Sequence, residues 1–112
     1  MNMGVDLPLQ MGVAELARWR DEKVPHVVLD VREPWETAIC HIEGSVKVPL
    51  GDVPGSVSRL PTDRPVVVTC HHGMRSLRAV SWLRANGVPN AVNLAGGIDA
   101  WAREVDAAMT TY

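Results

Sequence analysis

The chain has 112 residues, 46% of them hydrophobic and 21% charged, with a formal net charge of −2. That length suits one soluble domain over residues 1–112, large enough to fold without disulfide staples and too small for two. Mild acidity without a polybasic run argues against nucleic acid or a membrane surface as partner, no apolar run reaches the roughly 18–20 residues of a membrane span, and Met1–Asp6 lacks the basic flank and apolar stretch of a secretory signal, so the expected compartment is the cytoplasm.

Residues 9–20 read as an amphipathic helix. Leu9, Val13, Leu16 and Ala17 fall on one face, and Pro8 suits the first turn. His26–Val31 is a continuous β-favouring apolar run without alternation, the pattern of a strand buried on both faces. Pro34 then opens a short helix through Ala38. Val46–Pro49 is a short strand candidate, and residues 51–60, with Pro54 and Gly55, read as a loop or broken helix. Val66–Thr69 is the clearest strand and ends directly at Cys70.

After the loop His71–Met74, residues 75–86 read as a helix with Ser76, Ala79, Val80 and Leu83 on one face and Asn86-Gly87 as its cap. Ala91–Leu94 is a last strand, residues 95–97 a turn, and 98–105 a final helix, on which Trp101, like Trp82 before it, is expected to pack against the core. Residues 109–112 read as a frayed tail. Strands alternating with helices imply an α/β fold, a parallel-type sheet covered on both faces.

Two cysteines, Cys40 and Cys70, are too few for a disulfide scaffold and too distant for a CxxC pair. The position of Cys70 singles it out. It leaves a buried strand at the carboxyl edge of the sheet, where open α/β sheets bind ligands, and a helix starts a few residues later. The free N–H groups and dipole of a helix start favour an anion, and Gly73 lets the loop curl so that several N–H groups converge.

Such a cradle favours a thiolate. An ordinary cysteine, with a pKa of about 8.5, is only roughly 3% ionised at pH 7. About 2 kcal/mol of preferential anion stabilisation raises that to half. Arg75, and Arg78 one turn on, sit unfavourably at a helix start unless an anion is near. The alternative is that both are solvated surface arginines, and that Cys70 is a buried structural thiol.

Four segments now carry a resemblance to the rhodanese family of single-domain sulfurtransferases: Asp30-Val31-Arg32-Glu33 followed by Trp35-Glu36; His41-Ile42-Glu43-Gly44-Ser45; the loop from Cys70 to Arg75; and Leu94-Ala95-Gly96-Gly97-Ile98-Asp99-Ala100-Trp101. They stand in the family's order across residues 30–101. Cys40 departs from the pattern, standing where the family usually has glycine before His41.

The resemblance implies a rhodanese-like α/β domain with a central sheet of about five strands and helices on both faces. It implies that Cys70 is the catalytic nucleophile, and that His71, His72, Gly73, Met74, Arg75 and Ser76 form the substrate-binding loop. Asp30 and Arg32 would be structural support, as an ion pair or pocket wall. Thiosulfate or a similar small-molecule donor would charge Cys70 as a persulfide, and a thiol, cyanide or a sulfur-accepting protein would discharge it, with no cofactor. Four residues between Cys70 and Arg75, against five in related phosphatases, make a cradle suited to sulfur rather than phosphate.

Other readings remain. The domain is an interaction or sulfur-relay module with little activity of its own, or Cys70 pairs with Cys40 as a redox sensor, which needs Cα atoms within about 7 Å. His71 and His72 add charge below about pH 6.5 or simply line the rim. A histidine pair beside a cysteine raises zinc, but adjacent histidines rarely converge on one ion and no fourth ligand is evident, so no metal is expected. The expectation for Cys70 is a solvent-reachable thiol ringed by main-chain N–H groups.

Overall fold

A computed structural model describes residues 7–112; the reading of Met1–Asp6 lies outside the described residues. The elements are β1 (Gln10–Met11), α1 (Val13–Asp21), β2 (Val27–Asp30), α2 (Pro34–Ile39), β3 (Val46–Lys47), α3 (Val53–Ser56), β4 (Val66–Thr69), α4 (Met74–Ala85), β5 (Ala91–Leu94) and α5 (Gly97–Glu104). The five strands form one sheet in the order β1-β5-β4-β2-β3, every pair parallel. Among the described residues no helix is long and apolar enough to cross a membrane.

Strand parity divides the core. Val66 and Val68 of β4 and Leu29 of β2 pack with Ala79, Val80 and Leu83 of α4 and with Val53 of α3. Val67 and Val28 face the other way, onto Val13 and Leu16 of α1 and Ile98 and Trp101 of α5. All three valines of β4 are fully enclosed, which contributes about 1.5–3 kcal/mol for each side chain. Cys70 continues the parity of Val66 and Val68, so its side chain lies under α4, whereas Cys40 belongs to the opposite cluster.

Three local expectations are revised and two open points are decided. The first helix begins at Val13 rather than residue 9, because Gln10 and Met11 instead pair with Asn93 and Leu94 as an edge strand; Leu9 is accordingly 45% exposed. Of the two readings of residues 51–60, the broken helix is the one adopted: two 3-10 turns, Leu50–Asp52 and Val57–Arg59, flank α3. Trp101 is buried, but Trp82 is 39% exposed, since the inward face of α4 is filled by Ser76, Ala79, Val80 and Leu83. The tail does not fray: Tyr112 is half-buried and hydrogen-bonded to Arg32 and Glu36. Cys40 has extended backbone, φ −163° and ψ 155°, so the departure from glycine there brings no strain.

Candidate active site

β4 is the central strand, and its carboxyl end delivers Cys70 to the start of α4. Three donors converge on its Sγ: Gly73 N at 3.1 Å, Ser76 N at 3.3 Å and Ser76 Oγ at 3.3 Å. Gly73 makes this possible with φ 101°, turning the chain into the helix with its N–H aimed back at the sulfur. Cys70 is only 1% exposed, more enclosed than the solvent-reachable thiol expected. The reason is tertiary: the loop is clamped from beneath by the first turn of α5. Ile98 N donates to Cys70 O at 2.9 Å and Asp99 N to His71 O at 3.0 Å.

That clamp requires glycine at position 97. A Cβ there would lie 2.4 Å from Cys70 O and 2.7 Å from His71 O, and the backbone has φ +59°. From the sheet, Asn93 completes the support. Fully buried, it donates through Nδ2 to Gly73 O (3.1 Å) and Gln10 Oε1 (2.9 Å), which fixes Oδ1 as the acceptor of the Ser76 hydroxyl at 2.5 Å. One hydroxyl proton cannot serve Asn93 and Cys70 together. With a neutral thiol, Ser76 bonds Asn93; a sulfur anion draws the same proton towards Sγ.

Arg75 meets a carboxylate within the protein. Its Nη1 and Nη2 donate to Glu36 Oε2 and Oε1, both at 2.7 Å. The side chain of Glu36 is 4% exposed and that of Arg75 36%. The Arg75 pair is the main reason the Glu36 carboxyl is held down at about 2, against the opposing effect of burial. Glu36 reaches this place because Glu33 and Glu36 form a capping box that starts α2. The Glu36 bonds in turn hold the Arg75 guanidinium protonated.

Asp30 and Arg32 form a fully buried ion pair, with Nε–Oδ1 2.9 Å and Nη2–Oδ2 2.6 Å. Arg32 also donates to Cys40 O at 2.7 Å and to the Tyr112 hydroxyl at 3.0 Å. Burial opposes its charge, and the bonds to Asp30 and Tyr112 outweigh that cost. The Tyr112 hydroxyl donates onward to Glu36 Oε1 at 2.8 Å. Its ring stacks on His71 at 3.9 Å and 5°. A continuous polar chain thus runs from Asp30 through Arg32, Tyr112 and Glu36 to Arg75.

His72 and Met74 stand exposed at the rim, Met74 71% so. Burial lowers the pKa of His71, so it gains charge later on acidification than an ordinary histidine. His71, His72 and Asp99 place one potential ligand atom each within 4.8 Å of one another. Their geometry suits stacking better than coordination. The two imidazoles lie against one another, with centroids 3.9 Å apart and planes at 30°. Asp99 is already paired with Arg103 at 3.0 Å.

Sequence reasoning missed Asn93, Glu36 and Tyr112 as parts of this site. A signal existed for Asn93, a lone amide in an otherwise apolar buried strand. Glu36 and Tyr112 are 76 positions apart, and nothing local links them.

Comparisons with known proteins bear on the family and the fold. The Rhodanese-like domain family matches residues 12–104. A probable adenylyltransferase/sulfurtransferase MoeZ of Mycobacterium tuberculosis is 36% identical over 100 residues, covering 88% of this chain but 26% of the relative, so the chain spans about a quarter of that protein's length. The thiosulfate sulfurtransferase GlpE of Stutzerimonas stutzeri is 33% identical over 75 residues, covering 67% of this chain and 69% of the relative. A rhodanese-related protein from Thermoplasma volcanium superposes with a TM-score of 0.79 at 33% identity, covering 88% of this chain and 94% of that one. With the five-stranded parallel sheet and the cysteine at the end of its central strand, these matches make the chain a member of the rhodanese-like domain family.

Proposed function

We propose that this protein is a sulfurtransferase that carries a sulfane sulfur on Cys70. The observation that carries the reading is the convergence of Gly73 N, Ser76 N and Ser76 Oγ on one cysteine sulfur. Three donors at a helix start lower the energy of a sulfur anion, as an oxyanion hole does for oxygen. The same cradle serves a persulfide: the N–H groups of Met74 and Arg75 begin α4 and have no backbone acceptor among the described residues. The sulfurtransferase names of the relatives support the same chemistry.

The cycle is covalent and two-stepped. The Cys70 thiolate attacks the outer sulfur of thiosulfate; a bond forms between the two sulfurs, the donor's own sulfur–sulfur bond breaks, and sulfite leaves with the electron pair. A thiolate or cyanide then attacks the outer sulfur of the persulfide. The new bond forms to the acceptor, the persulfide bond breaks, and Cys70 returns as thiolate. Arg75 retains N–H groups beyond the two that Glu36 uses, and with them it faces the anionic donor.

Intact mass spectrometry tests the reading. After thiosulfate treatment the protein gains the mass of one sulfur, removable by cyanide or dithiothreitol, and Cys70→Ser gains none. An unchanged mass of the unaltered protein refutes the proposal.

A further inference from the structure

We infer that Tyr112 is a positioning residue of this site: it fixes the carboxylate of Glu36, and through it the guanidinium of Arg75. The inference rests on the proposed reading of Cys70 as sulfur carrier, and it assigns a role to a residue that lies within none of the family's motifs.

The argument turns on how a carboxylate is held. Each Glu36 oxygen takes two donors. Oε2 accepts Arg75 Nη1 at 2.7 Å and Glu33 N at 2.9 Å; Oε1 accepts Arg75 Nη2 at 2.7 Å and the Tyr112 hydroxyl at 2.8 Å. The two Arg75 bonds tie the planar groups to each other but do not orient the pair within the protein. That takes a fixed donor on each oxygen. Glu33 N is one, part of the backbone at the start of α2. Tyr112 is the other.

Tyr112 is itself well anchored. Its oxygen accepts from Arg32, which the buried Asp30 holds. Its ring lies flat on His71, the residue after Cys70, and meets Trp35 edge-on at a centroid distance of 6.0 Å. Without the hydroxyl, Oε1 loses its fixed donor and the carboxylate can swing about its one remaining anchor. Arg75, 36% exposed and free to follow, then presents its remaining N–H groups to the mouth in no single direction. An anionic donor would feel the loss at binding, because the sulfur cradle itself does not involve Tyr112.

Tyr112→Phe isolates the hydroxyl, since phenylalanine keeps the ring stacked on His71. Two measurements are made. In heteronuclear NMR the Arg75 Nη–H groups bonded to Glu36 give distinct, slowly exchanging signals in the unaltered protein, and in Tyr112→Phe they average or exchange faster. In kinetics the KM for thiosulfate rises about five-fold while kcat changes less than about two-fold, and the effect disappears when Tyr112→Phe is made in an Arg75→Ala background. A merely structural role would shift the melting temperature and leave both the KM–kcat split and the coupling to Arg75 absent. An unchanged Arg75 signal overturns the inference, as does a KM effect that adds independently to that of Arg75→Ala. If the unaltered protein takes up no sulfur at all, the sulfur-carrier reading fails by itself, and the NMR comparison alone still decides whether Tyr112 holds Arg75.

Discussion

Replacing Gly97 by alanine isolates the clamp beneath Cys70, and Gly87→Ala is its control. Both positions have positive φ, +59° and +96°. At Gly87 a Cβ would meet nothing within 4 Å. Only left-handed strain remains there, about 1 kcal/mol. At Gly97 the Cβ would sit 2.4 Å from Cys70 O, against the 3.0 Å that real contacts respect, so the backbone must move apart by about 0.6 Å. That movement loosens the bonds from Ile98 N to Cys70 O and from Asp99 N to His71 O, each contributing about 1 kcal/mol. With the strain, Gly97→Ala loses about 3–4 kcal/mol. A protein of this length shifts its melting temperature by about 4 °C per kcal/mol, so Gly87→Ala melts about 4 °C lower and Gly97→Ala about 12–16 °C lower. Thermal melting followed by circular dichroism reads both. If the two variants melt within about 4 °C of each other, the clamp is not the constraint described.

Two further outcomes are expected. The Glu36 carboxyl is lowered to about 2 from an ordinary 4.5, first by Arg75, so its contribution is complete above pH 4.5 and fades as pH falls through 4.5 towards 2. Urea denaturation across that window should show a loss of about 2–3 kcal/mol that Glu36→Gln lacks; equal pH slopes in the two proteins would contradict the assignment. Asn93→Ala removes one acceptor and two donated bonds from a fully buried position. It should destabilise the protein by about 2–3 kcal/mol and slow sulfur loading in the mass assay, and a variant as stable and as readily loaded as the unaltered protein would remove Asn93 from the support of the loop.

The parts legible in the sequence are those with local cause. Val66–Val68 read as a buried strand because each side chain is enclosed, and the inward face of α4 was visible in the spacing of Ser76, Ala79, Val80 and Leu83. The loop from Cys70 to Ser76 was legible because strand end, glycine and helix start are contiguous. What escaped depends on distance along the chain. Two residues cannot display a period, so Gln10–Met11 passed for helix until β5 claimed them. The turn at Gly96-Gly97 was visible as a turn, but its close approach to Cys70 is set by another part of the fold. Arg75 looked like a cation awaiting an external anion, and the carboxylate it meets lies 39 positions earlier.

The division of the sheet into two faces has a chemical corollary. The protein's two sulfhydryls occupy separate compartments: Cys70 belongs to the cluster beneath α4, and Cys40 to the one shared with α1 and α5. Both are free. If Cys70 carries sulfur as proposed, that atom would have no intramolecular heir, because a Cys40–Cys70 bridge would have to breach the strands between the two clusters. Release would then await a second molecule arriving at the mouth, so how long the cargo persists would be governed by the supply of acceptors and not by the carrier's own second thiol.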